Sequence, residues 1–176
     1  MNIFNIISFY EEVVYNFKKQ MDNQKDLDLL IEQINYSYSL ANIVKEKASK
    51  IRLSDSVKNM EKYLVYDNGC YRLNNYGVTL AIASALFHNI GSYNQILIYQ
   101  ELNDDIKDNQ EVGLNYLLET KILKFLTVQD QLVIYEVVHN HNRDTLDYID
   151  NCCRFYVNLI KSSKRELEQN VKKLEK

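Results

Sequence analysis

Apolar residues recur at three- and four-residue steps along most of the chain, a spacing that predicts amphipathic helices. In the first such segment the apolar positions are Ile3, Ile6, Ile7, Tyr10, Val13, Val14 and Phe17. Comparable spacing predicts helices over about Asp26–Ile51, Gln110–Leu118 and about Val128–His141, and a last one that begins near Leu146 or Asp150. The pattern therefore indicates a set of helices that each bury one face.

One predicted helix, from Tyr76 to about His88, is apolar on every side. A helix without a polar face is covered by its neighbours, so we expect this one at the centre of the fold. The sequence His88-Asn89-Ile90-Gly91 is expected to end it, and a polar loop is expected to continue through Asp105. A further short helix is predicted from a cap at Ser54–Asp55 through Tyr63.

The segment 63–73 departs from the helical pattern. Two tyrosine-rich runs flank Asp67-Asn68-Gly69 there, and Asn-Gly between such runs favours a tight hairpin turn. We therefore expect a short β-hairpin, or else an ordered loop, near residues 63–73. Because tyrosine offers a large contact area at small entropic cost, the tyrosines around this hairpin are a candidate surface for a partner. They are Tyr63, Tyr66, Tyr71 and Tyr76.

Composition favours an all-α fold. The 176 residues include no proline and four glycines, which are too few turn residues for a β-sandwich or a barrel. A chain of this length is typical of one domain, so we expect residues 1–176 to form a single helical domain. The charged segment 161–176 is predicted to be a helix or a tail. Its thin apolar seam, from Leu167 to Leu174, leaves self-association as an alternative role.

Charge and hydropathy disfavour certain classes of partner, and cysteine content indicates the compartment. Lys and Arg number 21 against 24 Asp and Glu, and the resulting net charge of −3 disfavours a general electrostatic grip on nucleic acid. The longest apolar run, Val78 to Phe87, is about half of what a bilayer requires, so we expect no membrane contact. The N-terminal sequence lacks the pattern of a signal peptide, and the three cysteines suit a reducing compartment. We therefore expect a cytoplasmic protein.

A motif follows the predicted central helix: Phe87-His88-Asn89-Ile90-Gly91-Ser92-Tyr93-Asn94-Gln95. It resembles the hallmark of the HD-domain family of metal-dependent phosphohydrolases, in particular small bacterial members, whose His-Asp-Ile-Gly-Arg run ends in an aromatic residue and a glutamine. Further similar segments follow the family's order at Ile34–Leu40, Asp108–Gly113, Tyr135–Arg143 and Arg154–Ile160. The resemblance covers about residues 34–160. It implies an HD-domain-like helical bundle in which histidines and aspartates bind a divalent metal.

The chain departs from the family's pattern at the metal-binding positions. Tyr36 stands where the resemblance places a first histidine, Asn89 where it places the aspartate of the pair, and Asn109 where it places a further histidine. A phenol and two amides are poor substitutes for imidazole and carboxylate ligands. Of the ligand set, His88 and His141 remain. The other departures are Phe155, Val157 and Ile160 at the late aspartate positions, with Ser92 and Asn158 in place of an arginine and a lysine.

We interpret this pattern as a vestigial pocket lined by Tyr36, His88, Asn89, Asn109 and His141. The leading hypothesis is a catalytically inactive HD-domain-like pseudoenzyme without catalytic residues, metal or cofactor. Such a protein would act by binding a protein partner or a small phosphorylated ligand, in a regulatory or inhibitory role.

The alternative is a remodelled metal-dependent phosphohydrolase that acts on a nucleotide or a phosphoester. In that case His88 and His141 would hold a divalent metal such as Mn²⁺ or Mg²⁺, and Asp104, Asp105 or Asp108 would supply the missing carboxylate. Imidazole and carboxylate together leave open positions on the metal, where a bound water loses a proton more readily.

Overall fold

The computed structural model describes residues 2–99 and 106–175, apart from the side chains of residues 106–108. A short 3-10 turn, Ile3–Asn5, leads into the first helix. The helices are α1 (Ile6–Gln20), α2 (Gln24–Lys50), α3 (Asn75–Phe87), α4 (Ile90–Tyr99), α5 (Ile106–Thr120), α6 (Val128–Asn140) and α7 (Asn151–Leu174). The prediction of a mostly helical fold is confirmed.

Polar side chains start four of these helices. Asn23, Asn74, Thr127 and Asp150 each accept a hydrogen bond from a backbone N–H three residues further along, at the beginning of α2, α3, α6 and α7. Each such cap satisfies a backbone donor that has no partner within the helix, and contributes about 1 kcal/mol. The caps therefore fix where the helices begin. Of the two starts predicted for the last helix, Leu146 and Asp150, the structure has the cap at Asp150.

Helix α3 lies at the centre of the fold, as its apolar sequence predicts. It contacts α2, α6 and α7 and also touches α1. Its residues Leu80, Ala81, Ala83, Ala85 and Phe87 are all fully buried. The C-terminal end of α3 therefore delivers His88, the next residue, into the interior.

The predicted hairpin is present. Strand β1 (Leu64–Asp67) pairs antiparallel with β2 (Cys70–Leu73), and Asp67 faces Cys70 across the turn. Asn68 and Gly69, with φ of 52° and 82°, both have left-handed backbone, the conformation of a two-residue type I′ turn.

The short helix predicted from Ser54 through Tyr63 is wrong. Leu53 and Tyr71 instead exchange two backbone hydrogen bonds of 2.8 Å, which tie this segment to the hairpin. The residues that follow form turns, and Met60 accepts the backbone N–H groups of Tyr63 and Leu64. Pairing with a distant part of the chain has overridden a weak local preference for helix.

The polar loop predicted after His88 is also wrong over most of its length. After His88 and Asn89 the chain enters α4, whose residues Ile90, Tyr93 and Ile96 are fully buried. Residues 100–105, the rest of the predicted loop, lie outside the described residues.

Helix α7 includes most of the charged C-terminal segment. Ser163 is buried and Leu167 packs against the core, whereas Leu174 is 88% exposed. The first half of this segment is therefore part of the fold rather than a solvated tail. Within residues 2–99 and 106–175, no helix combines the length and the apolarity needed to cross a membrane.

Candidate functional site

A cavity of about 550 Å³ lies between α2, the junction of α3 and α4, the start of α5, the end of α6, and α7. All five residues predicted to line a common pocket are among those that line it. The lining consists of Glu32, Gln33, Asn35, Tyr36, Ser39, His88, Asn89, Ser92, Asn109, Gln110, His141, Asn142, Lys164 and Glu168. Polar and charged residues that are far apart in the sequence thus meet around one space.

His88 lines this cavity and is itself buried. Its Nδ1 lies 2.6 Å from the carbonyl oxygen of Ala85. Because a carbonyl only accepts, Nδ1 carries the proton and Nε2 is left as an acceptor. Burial, reinforced by the charge of Lys164, lowers the pKa of His88 to about 3, so the ring is neutral at physiological pH. The rings of Tyr36 and His141 have their centres 5.7 and 5.1 Å from that of His88.

Lys164 brings a positive charge to the histidines. Its Nζ donates to His141 Nδ1 at 2.9 Å and to Asn142 Oδ1 at 2.5 Å. Burial lowers the pKa of Lys164 to about 8, against the effect of Glu168, so most of the ammonium remains charged at neutral pH. Burial, followed by the charge of Lys164, also lowers the pKa of His141 well below its usual value. His141 is therefore neutral and carries its proton on Nε2.

Both the oxygen and the nitrogen of the Asn89 side-chain amide form hydrogen bonds. Its Oδ1 accepts a hydrogen bond of 2.5 Å from Ser37, and its Nδ2 donates to the backbone oxygen of Gln33 at 3.3 Å. Since Ser37 donates to Asn89, the hydroxyl of Tyr93, 2.9 Å away, donates to Ser37, and Tyr10 donates to Tyr93 at 2.6 Å. A chain of buried hydroxyl groups thus runs from α1 to Asn89, and the surroundings of Asn89 are built for an amide.

Several groups around His88 are already committed to hydrogen bonds or to the Lys164 ammonium, which opposes the binding of a divalent metal next to His141. His141 has its Nδ1 occupied by the Lys164 ammonium, and both ends of the Asn89 amide are committed. A dication next to His141 would lie beside the Lys164 ammonium, which is unfavourable in a partly buried site. In the described part of the chain no three His, Cys, Asp or Glu side chains are grouped to hold a metal ion. Asp104, Asp105 and the Asp108 side chain lie outside the described residues.

The four tyrosines predicted as a partner surface do not share one exposed face. Tyr63 is fully buried and donates a 2.6 Å hydrogen bond to Asp130, and Tyr76 donates to the other oxygen of the same carboxylate. Tyr66 is 62% exposed, and its ring lies 5.0 Å from that of Tyr71. The prediction is therefore wrong for Tyr63, because the buried Asp130 needs its hydroxyl.

Two important cavity residues were not recognised from the sequence. Lys164 stands in a run of charged residues that is typical of a solvated face, and Gln33 lies three residues before Tyr36 without any motif. For Lys164 a signal was available, because Ile160, Ser163 and Leu167 continue the buried stripe of α7 past it.

Replacing Asn89 by aspartate is expected to lower the free energy of unfolding by about 2 kcal/mol, since it puts an acceptor where an N–H group donates. The new carboxylate oxygen would face the backbone oxygen of Gln33, and also its Oε1, which lies 3.4 Å from Asn89 Nδ2. Urea unfolding at pH 7 measures the difference. The same exchange at exposed Asn158 is the control. Equal stability of Asn89→Asp and wild type would contradict this account of Asn89.

The buried histidines are expected to make stability fall in mild acid. Unfolded, His88 takes up a proton near pH 6.5, whereas the folded protein holds the pKa of His88 near 3. Its contribution is complete above pH 6.5 and is lost below it, by about 2 kcal/mol between pH 7 and pH 5. His141 adds a loss of the same sign.

Urea unfolding at pH 7, 6 and 5 tests this prediction. His88→Gln is expected to flatten the pH dependence. His139→Gln is the control, because His139 bonds Glu111 and does not line the cavity. The same slope in His88→Gln and wild type would contradict the prediction.

These features describe a polar cavity with a lysine, two neutral imidazoles and several amides. Two of its residues, Lys164 and Asn142, are joined to His141 through one set of hydrogen bonds. Comparisons with protein-family models, with curated proteins and with solved structures find no match to this chain.

Proposed function

We propose that this chain is a catalytically inactive, HD-domain-like protein that acts by binding a small polar ligand in the cavity around His88, in a regulatory or inhibitory role. The observation that carries the proposal is the hydrogen bonding of Lys164 to His141 and Asn142. The chain supplies its own positive charge at a histidine that the family resemblance assigns to a metal.

The chemistry of the lining supports binding rather than bond cleavage. A general base works best when its pKa lies near the working pH, but the pKa of His88 is near 3 and that of His141 is also strongly lowered. Amide side chains offer both donors and acceptors without changing charge. The volume of about 550 Å³ falls within the range of about 300–1,000 Å³ that is common for small-molecule sites. Of the two kinds of partner that the sequence suggested, a small ligand is the one that this cavity favours.

Calorimetric titration and hydrolysis assays on the same protein preparation test the proposal. We expect a ligand from a panel of nucleosides, sugars and their phosphates to bind equally well with EDTA and with Mn²⁺ or Mg²⁺, without turnover. Ser39→Phe, which adds a ring to the cavity lining, is expected to weaken binding about tenfold by steric exclusion. Ser49→Phe, at an exposed position of the same helix, is the control.

Metal-dependent hydrolysis that disappears in His88→Ala would overturn the proposal and would favour the remodelled phosphohydrolase. Binding that requires Mn²⁺ or Mg²⁺ would contradict the account of Lys164 as the cation of the site. Binding that is unchanged in Ser39→Phe would locate the ligand elsewhere on the protein.

A further inference from the structure

A second cavity, of about 220 Å³, adjoins the first between the end of α6 and α7. Four residues line both cavities, namely His141, Asn142, Lys164 and Glu168, and the second adds Lys161 and Arg165. The two spaces therefore share a wall at the Lys164 ammonium. A single ligand that touches Lys164 can reach into both.

The smaller cavity is strongly cationic. Lys161, Lys164 and Arg165 line it, with Glu168 as its one acidic side chain. Arg165 is exposed, and within the described part of the chain its guanidinium makes no hydrogen bond or ion pair. Lys161 donates to the backbone oxygen of Arg143, which leaves two of its three ammonium hydrogens unused. The single carboxylate of Glu168 cannot neutralise all three positive charges that line this cavity.

The larger cavity differs in kind, because its lining is rich in uncharged amides. Gln33, Asn35, Asn109 and Gln110 line it but not the smaller cavity. Amides of this type pair with hydroxyl groups or with the edges of a heterocyclic ring. Cationic side chains at one end, and amides together with the single acidic residue Glu32 at the other, match a molecule with one anionic end.

We propose that the ligand is a phosphorylated small metabolite whose phosphate group lies in the smaller cavity against Lys161, Lys164 and Arg165, and whose uncharged body lies among the amides of the larger one. This inference rests on the proposed function. Phosphate oxygens accept charge-assisted hydrogen bonds from ammonium and guanidinium groups, and arginine presents two parallel N–H donors to them. A nucleotide and a sugar phosphate share this chemistry.

Removing the carboxylate of Glu168 is expected to change ligand affinity in the opposite direction to removing the guanidinium of Arg165. The Glu168 carboxylate lines both cavities and is close enough to Lys164 to raise the pKa of that lysine. It therefore repels an anion in the smaller cavity, so its removal is expected to strengthen binding while the removal of Arg165 weakens it. Both residues are exposed, so neither change is expected to disturb folding.

The experiment is calorimetric titration of the full chain with ATP, adenosine, glucose 6-phosphate, glucose and inorganic pyrophosphate, at low and at moderate salt. We expect at least one phosphorylated probe to bind about tenfold or more tighter than its parent. Arg165→Gln is expected to weaken its binding about fivefold and Glu168→Gln to strengthen it about threefold, with both effects smaller at higher salt. Lys172→Gln and Glu175→Gln, at the exposed end of α7, are the matched controls.

The probes also separate the two sources of phosphate. Tighter binding of ATP than of glucose 6-phosphate identifies a nucleotide, and the reverse order identifies a sugar phosphate. Both orders support the inference. Weak binding of pyrophosphate also supports it if Arg165→Gln weakens that binding and Glu168→Gln strengthens it.

Other outcomes would overturn it. If adenosine or glucose binds as tightly as its phosphorylated form and Ser39→Phe weakens that binding, the proposed function stands and the phosphate site does not. If no phosphorylated probe binds the folded protein, or if Arg165→Gln and Glu168→Gln shift affinity in the same direction, the phosphate assignment is wrong.

Discussion

Replacing Gly91 by alanine is expected to lower the free energy of unfolding by about 3 kcal/mol or more, which is a loss of roughly 6–12 °C in Tm. A Cβ atom at this position would lie 1.9 Å from the backbone oxygen of Asn109 and 2.7 Å from the backbone nitrogen of Gly113. Neither atom belongs to a side chain that can turn away. Helices α4 and α5 would have to separate, and the backbone of Asn109, a residue that lines the large cavity, would move with them.

Gly69 is a control that separates the steric clash expected at Gly91 from backbone strain. Gly69, in the hairpin turn, has φ of +82° and no atom within 4 Å of where a Cβ would stand. Gly69→Ala therefore introduces conformational strain alone, with an expected cost of about 1–2 kcal/mol. Thermal unfolding of both variants compares the two causes. A smaller loss for Gly91→Ala than for Gly69→Ala would mean that α4 and α5 are not packed as closely as described.

Replacing Asp130 by alanine is expected to cost about 4 kcal/mol, because it leaves the buried Tyr63 hydroxyl and the half-buried Tyr76 hydroxyl without their acceptor. Asp130 is fully buried on α6. One of its oxygens accepts from Tyr63, the other accepts from Tyr76, and the Lys62 ammonium lies 3.5 Å away. Burial raises the pKa of Tyr63 well above its ordinary value, and so does its hydrogen bond to Asp130. The tyrosine thus stays protonated and keeps donating.

Chemical denaturation of the Asp130 variants and their controls tests this account. Asp130→Asn keeps the shape and one acceptor oxygen, so its loss is expected to be smaller than that of Asp130→Ala. Asp147→Ala, at an exposed position, is expected to stay within about 0.5 kcal/mol of wild type. In a double-mutant cycle, Tyr63→Phe is expected to cost less when Asp130 is already alanine. Strict additivity would show that the two side chains do not depend on each other.

Features that depend on neighbouring residues alone were predictable from the sequence. Apolar residues on all sides of α3 placed it at the centre, and Asn68-Gly69 between two tyrosine-rich runs predicted the hairpin. The caps at Thr127 and Asp150 mark where α6 and α7 begin. In each case a short stretch of chain contains all the physical information that is needed.

Features that depend on distant contacts were missed. Gly91 resembles a helix stop locally, but a close approach of α5 requires it inside α4. Tyr63 resembles a surface residue of a hairpin until Asp130, from a helix far along the chain, is placed against its hydroxyl. Lys164 resembles one more charge on a solvated face until α7 is packed beside His141. The HD-domain-like assignment itself remains a prediction from the motif residues.

The hydroxyl chain from Tyr10 through Tyr93 and Ser37 to Asn89 has a spectroscopic consequence. All its donors point the same way, so each hydrogen bond polarises the next. Protons held in such a buried line exchange slowly with solvent and give separate NMR resonances. A ligand that perturbs Asn89 would therefore shift the hydroxyl resonance of Tyr10, on a helix that does not line the cavity, and this proton can report occupancy without a label.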